Sequence, residues 1–175
     1  FLRGELGGID QVDPYVVALL YAGDRADMAP QIRKWQDEGK VVIVDRYVYS
    51  NIGYQCAKMP SCDERRALRD WILKTEFEEF AIPRPDLSLF LDVPFAFTTK
   101  KLTEVREGDD RAYLNGGKDI HESSLDLQRR VREVYLEAAS ECGDLKVVDC
   151  STDDGAMASP ETIYERIMEY VNAVL

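Results

Sequence analysis

The sequence contains few of the residues that metal centres, disulfide scaffolds and membrane spans require. It has one histidine, His121, and four cysteines, none of which form a C-x-x-C pair. A zinc site is therefore not expected, and the cysteines are interpreted as reduced structural thiols, which predicts a cytoplasmic protein. No apolar run approaches the roughly 20 residues of a membrane span, so no membrane partner is expected.

Positive charge is also scarce. The 22 Lys and Arg residues against 33 Asp and Glu residues give a net charge of -11. Because nucleic-acid phosphates attract basic surfaces, no nucleic-acid partner is expected, although a local basic cluster can still bind a small anion. The 175 residues, 45% of them hydrophobic, are enough for one core, so we predict a single domain over residues 1–175.

Short apolar runs alternate with longer amphipathic segments. The apolar runs predict parallel strands at 41–44, 87–93 and 145–149, of which the first, rich in β-branched residues, is expected to be buried on both faces. Asp13 and Pro14 begin the first predicted helix, which is expected to break before Pro30 and resume until Gly39. Further helices are predicted over 50–57, 63–80, 98–105, 123–141 and 160–174. This alternation predicts an α/β fold, a three-layer parallel sheet with helices on both faces.

Two groups of residues carry candidate chemistry. Tyr21 and Arg25 lie four apart on one helix face, where an aromatic plane and a guanidinium can hold a flat heterocycle. Taken alone, this pair is more often a core tyrosine and a surface arginine.

The second group follows the predicted strand at 41–44. Arg46 is suited to a phosphate and Asp45 to a metal-bound water. Side chains that can contact a polar ring edge come next: Ser50, Asn51, Tyr54 and Gln55. The alternative is a salt-bridged strand end followed by a helix cap.

These two blocks together resemble the thymidylate kinases, a P-loop nucleoside monophosphate kinase family. The resemblance rests on Leu-Leu-Tyr-Ala-Gly-Asp-Arg at 19–25 and Asp-Arg-Tyr-Val-Tyr-Ser-Asn-Ile-Gly-Tyr-Gln at 45–55. It implies phosphorylation of dTMP to dTDP with ATP and magnesium, for dTTP synthesis. Tyr21 would stack on thymine and Arg25 would donate to a thymine carbonyl, while Arg46 would bind the dTMP phosphate and Asp45 would act on magnesium through water. Ser50, Asn51 and Gln55 would contact the base and the nearby phosphate region, and Tyr54 would pack on the deoxyribose.

The resemblance also implies a lid and a dimer. The Gly- and Asp-rich stretch 106–120 matches the lid in position, with Arg106 and Arg111 as candidates to reach the phosphates. Its acidic residues dilute the positive charge, so a solvated surface loop is the alternative. A homodimer is implied, with the helical region 14–38 as its contact surface.

One part of the family pattern is missing. The printed residues contain no G-x-x-x-x-G-K-[ST] phosphate loop and begin with Phe1, so we expect an upstream strand, loop and helix in the intact protein. That strand would lie between 41–45 and 87–93. Without it we expect no ATP turnover from the printed residues. A noncatalytic or truncated nucleotide-binding relative, another deoxynucleoside monophosphate kinase and a purely structural α/β domain are the competing interpretations.

Overall fold

A computed structural model describes residues 11–103 and 125–175. The described residues fall into two compact units, which divide between Pro85 and Asp86. The prediction of one domain over residues 1–175 stays a prediction.

The first unit is helical. Its elements are α1 (Pro14–Asp37), α2 (Val48–Cys56), α3 (Cys62–Lys74) and a π-helical segment (Thr75–Glu79) that continues α3. The three α-helices pack against one another. Their contacts bury apolar side chains that include Val17, Ala22, Ile52, Leu68 and Ile72. This burial of the apolar helix faces is the main stabilising contribution in such a unit.

The helix starts follow the capping residues that the sequence predicts. Asp13 accepts a hydrogen bond from the Tyr15 amide at 2.7 Å at the start of α1. Ser61 accepts from the Glu64 amide at 3.2 Å, and its hydroxyl donates to the Glu64 carboxylate at 2.6 Å. These bonds satisfy amides that have no partner inside the helix. At the other end of α1, Gly39 has a φ of 71°, which confirms it as the residue that stops the helix.

The predicted break at Pro30 is wrong. One helix of 24 residues runs through Pro30. Pro30 has no amide hydrogen to donate to the carbonyl of Ala26, so the helix continues at a local cost. Ala29 and Ile32 are buried on either side of it. Their packing holds both halves in one helix and outweighs the missing hydrogen bond.

Replacing Pro30 with alanine is therefore expected to raise the free energy of unfolding by about 1–2 kcal/mol, because it restores the amide donor at an exposed position. Urea titration measures the change. Pro14→Ala is the matched control, since the first turn needs no such donor, and it should bring no gain. An equal response of both variants would contradict this account of α1.

The predicted strand at 41–44 is also wrong. These residues have no regular secondary structure, and Val41, Ile43 and Val44 are 69%, 91% and 45% exposed. A strand forms only when a neighbouring strand takes its backbone hydrogen bonds. None of the described residues pairs with 41–44. The apolar, β-branched composition of 41–44 is therefore not enough by itself to form a strand.

The second unit contains the sheet. Strands β1 (Ser88–Asp92) and β2 (Leu145–Asp149) pair in parallel, with Ser88 opposite Leu145 and Asp92 opposite Asp149. The unit also contains α4 (Phe95–Thr103), α5 (Leu125–Glu141) and α6 (Pro160–Val171). Helices α5 and α6 both contact β2. The predictions of strands at 87–93 and 145–149 and of the helices around them are confirmed within a few residues at each end.

A polar cluster lies at the carboxyl ends of the two strands. Arg132 of α5 donates to both carboxylate oxygens of Asp92, at 2.5 and 2.7 Å. This hydrogen bond raises the pKa of the Arg132 guanidinium. Asp149, opposite Asp92, accepts from the Ser151 hydroxyl at 2.6 Å and the Ser151 amide at 2.8 Å, which lowers the pKa of its carboxyl. The cluster ties α5 to the end of the sheet.

The described residues thus combine helices with a small parallel sheet, in agreement with the predicted α/β class. All four cysteines are free thiols. None of the described helices has the length and apolar character of a membrane span.

Candidate functional site

A buried ion pair lies inside the first unit. Arg25, from α1, donates from Nε to Glu76 Oε2 at 2.6 Å and from Nη2 to Glu76 Oε1 at 2.5 Å. The Glu76 side chain is fully buried, and that of Arg25 is 13% exposed. This two-point contact orients the guanidinium and leaves Nη1 outside the pair.

Asn51 joins this pair from α2. Its Nδ2 donates to Glu76 Oε1 at 2.9 Å and to the Ala18 carbonyl oxygen at 3.0 Å. Both amide hydrogens of Asn51 are therefore used, since Nδ2 carries only two. Glu76 Oε1 thus receives one donor from Arg25 and one from Asn51, which places these two side chains next to each other.

Two buried polar atoms on α2 lack a hydrogen-bond partner among the described residues: Asn51 Oδ1 and Gln55 Nε2. Asn51 is 4% exposed and Gln55 is fully buried. The other amide atom of Gln55, Oε1, accepts from Lys58 Nζ at 2.8 Å. Leaving such a group unpaired costs about 1–3 kcal/mol. Being four apart on one helix, Asn51 and Gln55 share a face that offers an acceptor and a donor to a further molecule.

The π-helical segment brings Glu76 to this position. Thr75, Glu76 and Phe77 are buried, whereas Glu78 and Glu79 are exposed. A π-helical segment is wider than an α-helix and shifts the register of the side chains that follow. Such segments are frequent at functional sites.

Arg46 lies just before α2 in a left-handed backbone conformation, with a φ of 65°. For a residue other than glycine this costs about 1–3 kcal/mol, and such positions cluster at functional sites. Its Nη2 donates to the Tyr54 hydroxyl at 2.8 Å, and its guanidinium carbon lies 4.9 Å from the centre of the Tyr54 ring. Arg46 and the neighbouring Asp45 are exposed. A guanidinium and a carboxylate thus come from neighbouring exposed residues.

Tyr47, next to Arg46, contacts the chain that follows the π-helical segment. Its hydroxyl donates to the Pro83 carbonyl oxygen at 2.9 Å. Burial, followed by the negative charge of Glu76, raises the pKa of the Tyr47 hydroxyl, with Arg25 acting in the opposite direction. The phenol therefore keeps its proton and remains a hydrogen-bond donor.

Comparison with known proteins identifies the family. The sequence model of the thymidylate kinases matches residues 2–156. The chain belongs to the thymidylate kinase family. A probable thymidylate kinase of Pyrococcus abyssi is 36% identical over 155 residues, 88% of this chain and 63% of that protein. One of Thermococcus kodakarensis is 31% identical over 175 residues, 98% of this chain and 73% of that protein. The thymidylate kinase of Mycobacterium tuberculosis is 31% identical over 160 residues, 90% and 72% of the two chains.

The resemblance in the two sequence blocks is thereby confirmed at the level of the family. This thymidylate kinase family member spans slightly less than two thirds of the Pyrococcus abyssi relative, 63% of its length.

The predicted site residues fall into two groups in the structure of this family member. Arg25 and Asn51 meet at Glu76, and Arg46 meets Tyr54. Tyr21 on α1 and Ser50 on α2 are half-buried. Arg106, Arg111 and the predicted lid 106–120 lie outside the described residues. The roles expected for all these residues stay predictions.

Glu76 is the site residue that the sequence analysis missed. A signal for it was present, because Leu68, Ile72 and Glu76 follow one another at intervals of four, and the first two are buried. A glutamate on the buried face of a helix needs partners to be tolerated. Its partners come from α1 and α2, 51 and 25 positions away in the chain.

Proposed function

We propose that the intact protein carrying this sequence is a thymidylate kinase, which transfers the γ-phosphoryl group of ATP to a phosphate oxygen of dTMP and releases dTDP and ADP. The observation that carries the proposal is the pairing of Arg25 with Asn51 at Glu76. It presents guanidinium Nη1 as a donor outside the ion pair, and Asn51 Oδ1 as an acceptor. Thymine has the opposite pattern on its edge, an O4 acceptor beside an imide N–H donor.

The same pattern argues against a cytosine nucleotide as substrate. Cytosine presents an amino donor where thymine has O4, and it would face the Arg25 guanidinium donor to donor. A kinase of this build that acts on dCMP would thus need a different arrangement at Arg25 and Asn51. Tyr21, Ser50 and Gln55 would complete the base contacts, and Tyr54 would pack against the deoxyribose.

Arg46 is proposed to hold the phosphate of dTMP. A guanidinium binds phosphate through two parallel hydrogen bonds, and Arg46 is exposed and oriented by its contact with Tyr54. Phosphoryl transfer depends mainly on such positioning and on stabilisation of charge. Arg106 and Arg111 are proposed to approach the transferred group from the lid.

Magnesium is proposed to act at Asp45. The ion keeps several waters and uses one or two carboxylates with substrate phosphates, and the exposed carboxylate of Asp45 beside Arg46 fits that donor set. When bound, the ion supplies positive charge to the phosphate oxygens. Asp45 would hold it through water, and Arg46 would share the phosphate with it.

The ATP side of the proposal rests on the family rather than on the described residues. The complete three-layer α/β sheet of a P-loop kinase and a cytoplasmic location are proposed on the same basis. A crystal structure of the intact protein with helices on only one face of the sheet would contradict this fold.

The deciding experiment measures ADP release by the intact protein with ATP, magnesium and each of dTMP, dCMP and dUMP. We expect turnover with dTMP and little with dCMP. Calorimetric titration with dTMP accompanies the assay. Binding of dTMP without ADP release would favour the noncatalytic nucleotide-binding relative, and no binding at all would reject the proposal.

The proposed homodimer involves α1. Three apolar side chains on one face of this helix, Val16, Leu19 and Leu20, are 52%, 45% and 53% exposed. A contiguous apolar patch of this kind is typical of an interaction surface.

Leu20→Asp is expected to convert the dimer to a monomer, because it places a charge in the apolar contact. Sedimentation velocity reads the change in mass. Tyr164→Asp, on α6 and 62% exposed, is the control and should leave the dimer intact. A monomeric wild-type protein, or a dimer that survives Leu20→Asp, would refute a contact through this face.

A further inference from the structure

Glu76 has no stated role in the function proposed above, yet it is the most buried charged group described in the first unit. Its carboxylate is fully buried and receives Arg25 Nε, Arg25 Nη2 and Asn51 Nδ2. Stability alone does not account for such a group. A buried ion pair is often no more stable than an apolar pair of the same volume.

The orientation of the Asn51 amide depends on Glu76. An ionised carboxylate only accepts, so Glu76 can face the Nδ2 end of the Asn51 amide and not the Oδ1 end. The second hydrogen of Nδ2 goes to the Ala18 carbonyl oxygen, which also only accepts. Turning the amide over would break both bonds and set Oδ1 against two acceptors. Glu76 and the Ala18 carbonyl together therefore hold Oδ1 as the outward acceptor.

The same carboxylate orients the Arg25 guanidinium. Because Nε and Nη2 are bound to Glu76, the planar group cannot rotate without losing both contacts. One carboxylate thus contacts both side chains that offer a donor and an acceptor at this site.

We propose that Glu76 is a positioning residue that sets the base preference of the site, holding Asn51 Oδ1 as an acceptor and fixing the direction of the Arg25 guanidinium, so that a pyrimidine with an imide N–H is bound in preference to cytosine. The inference rests on the proposed function of the site. It adds a residue that contacts no substrate itself and acts through two that do.

Glu76→Gln tests the inference in the intact protein. Glutamine keeps the size of the side chain but has an amide that can turn its own donor toward Asn51, so that only the Ala18 carbonyl still opposes reversal of the Asn51 amide. Calorimetric titrations with dTMP and dCMP yield the ratio of the two dissociation constants. We expect the dissociation constant for dCMP, divided by that for dTMP, to fall at least tenfold. Glu79→Gln, on the same π-helical segment but exposed, is the matched control and should leave the ratio unchanged.

A conservative variant separates positioning from a merely structural role. Glu76→Asp still has an acceptor-only carboxylate, so it should weaken both ligands while keeping the preference for dTMP. Equal losses of dTMP and dCMP in Glu76→Gln, together with a lower melting temperature, would overturn the inference. A wild-type protein that binds no dTMP would reject the proposed function instead.

A measurement on the wild type covers the case in which Glu76→Gln does not fold. In a crystal structure of the intact protein with dTMP, Asn51 Oδ1 should lie about 2.9 Å from the imide nitrogen while Nδ2 stays on Glu76. An Asn51 amide that donates to the base would overturn the inference.

Discussion

Replacing Arg25 with methionine is expected to lower the free energy of unfolding by about 3–5 kcal/mol, because it leaves the carboxylate of Glu76 buried without its counter-charge. Glu76 is fully buried and would retain only the Asn51 donor. A loss of this size is a large part of the about 5–15 kcal/mol that stabilises a typical domain. Chemical denaturation at neutral pH measures it.

Two controls distinguish the buried charge from the loss of an arginine in general. Arg129→Met removes an arginine that pairs with Asp126 and Glu133 on the surface of α5, where its side chain is 56% exposed. That change should cost little stability, because solvent screens exposed ion pairs. The double variant Arg25→Met/Glu76→Leu removes both charges and should recover most of the lost stability. If the double variant is as unstable as the single one, the unpaired carboxylate is not the cause.

Replacing Arg46 with alanine is expected to weaken dTMP binding by roughly ten- to a hundredfold, since a hydrogen bond to a charged group contributes about 1.5–3 kcal/mol and each 1.4 kcal/mol is about tenfold in affinity. Because Arg46 is exposed, the melting temperature should change little. Calorimetry on the intact protein measures the dissociation constant.

Tyr21→Phe is the comparison for Arg46→Ala within the same proposed site. It removes a hydroxyl and keeps the ring that would stack on thymine, so affinity should change by less than about threefold. Small and equal effects of the two variants would argue against the pocket assigned here.

Much of the local structure follows from residues that are close in the chain. Asp13 and Ser61 start their helices through amides two or three residues ahead, and Gly39 stops α1 because it adopts a positive φ at little cost. The helix predicted over 123–141 likewise forms, and its buried residues Leu127, Val131, Val134 and Ala138 recur at intervals of three and four. Interactions over one helical turn are enough for such predictions.

The failed predictions share one cause. Pro30 was expected to break a helix and 41–44 to form a strand, and both expectations used local preference alone. In the structure, burial of Ala29 and Ile32 keeps α1 continuous, and the lack of a paired strand among the described residues leaves 41–44 irregular. Packing and strand pairing involve residues distant in the chain, so a short stretch of sequence cannot predict them.

The candidate site shows the same division. The order of residues in the blocks 19–25 and 45–55 was sufficient to indicate the family and to nominate Arg25, Arg46 and Asn51. The backbone of Arg46 and the place of Glu76 were decided only by tertiary structure. A left-handed φ at an arginine and a buried carboxylate are both unfavourable locally; Arg46 is held by Tyr54, eight residues on, and Glu76 by Arg25 and Asn51, which are distant in the chain.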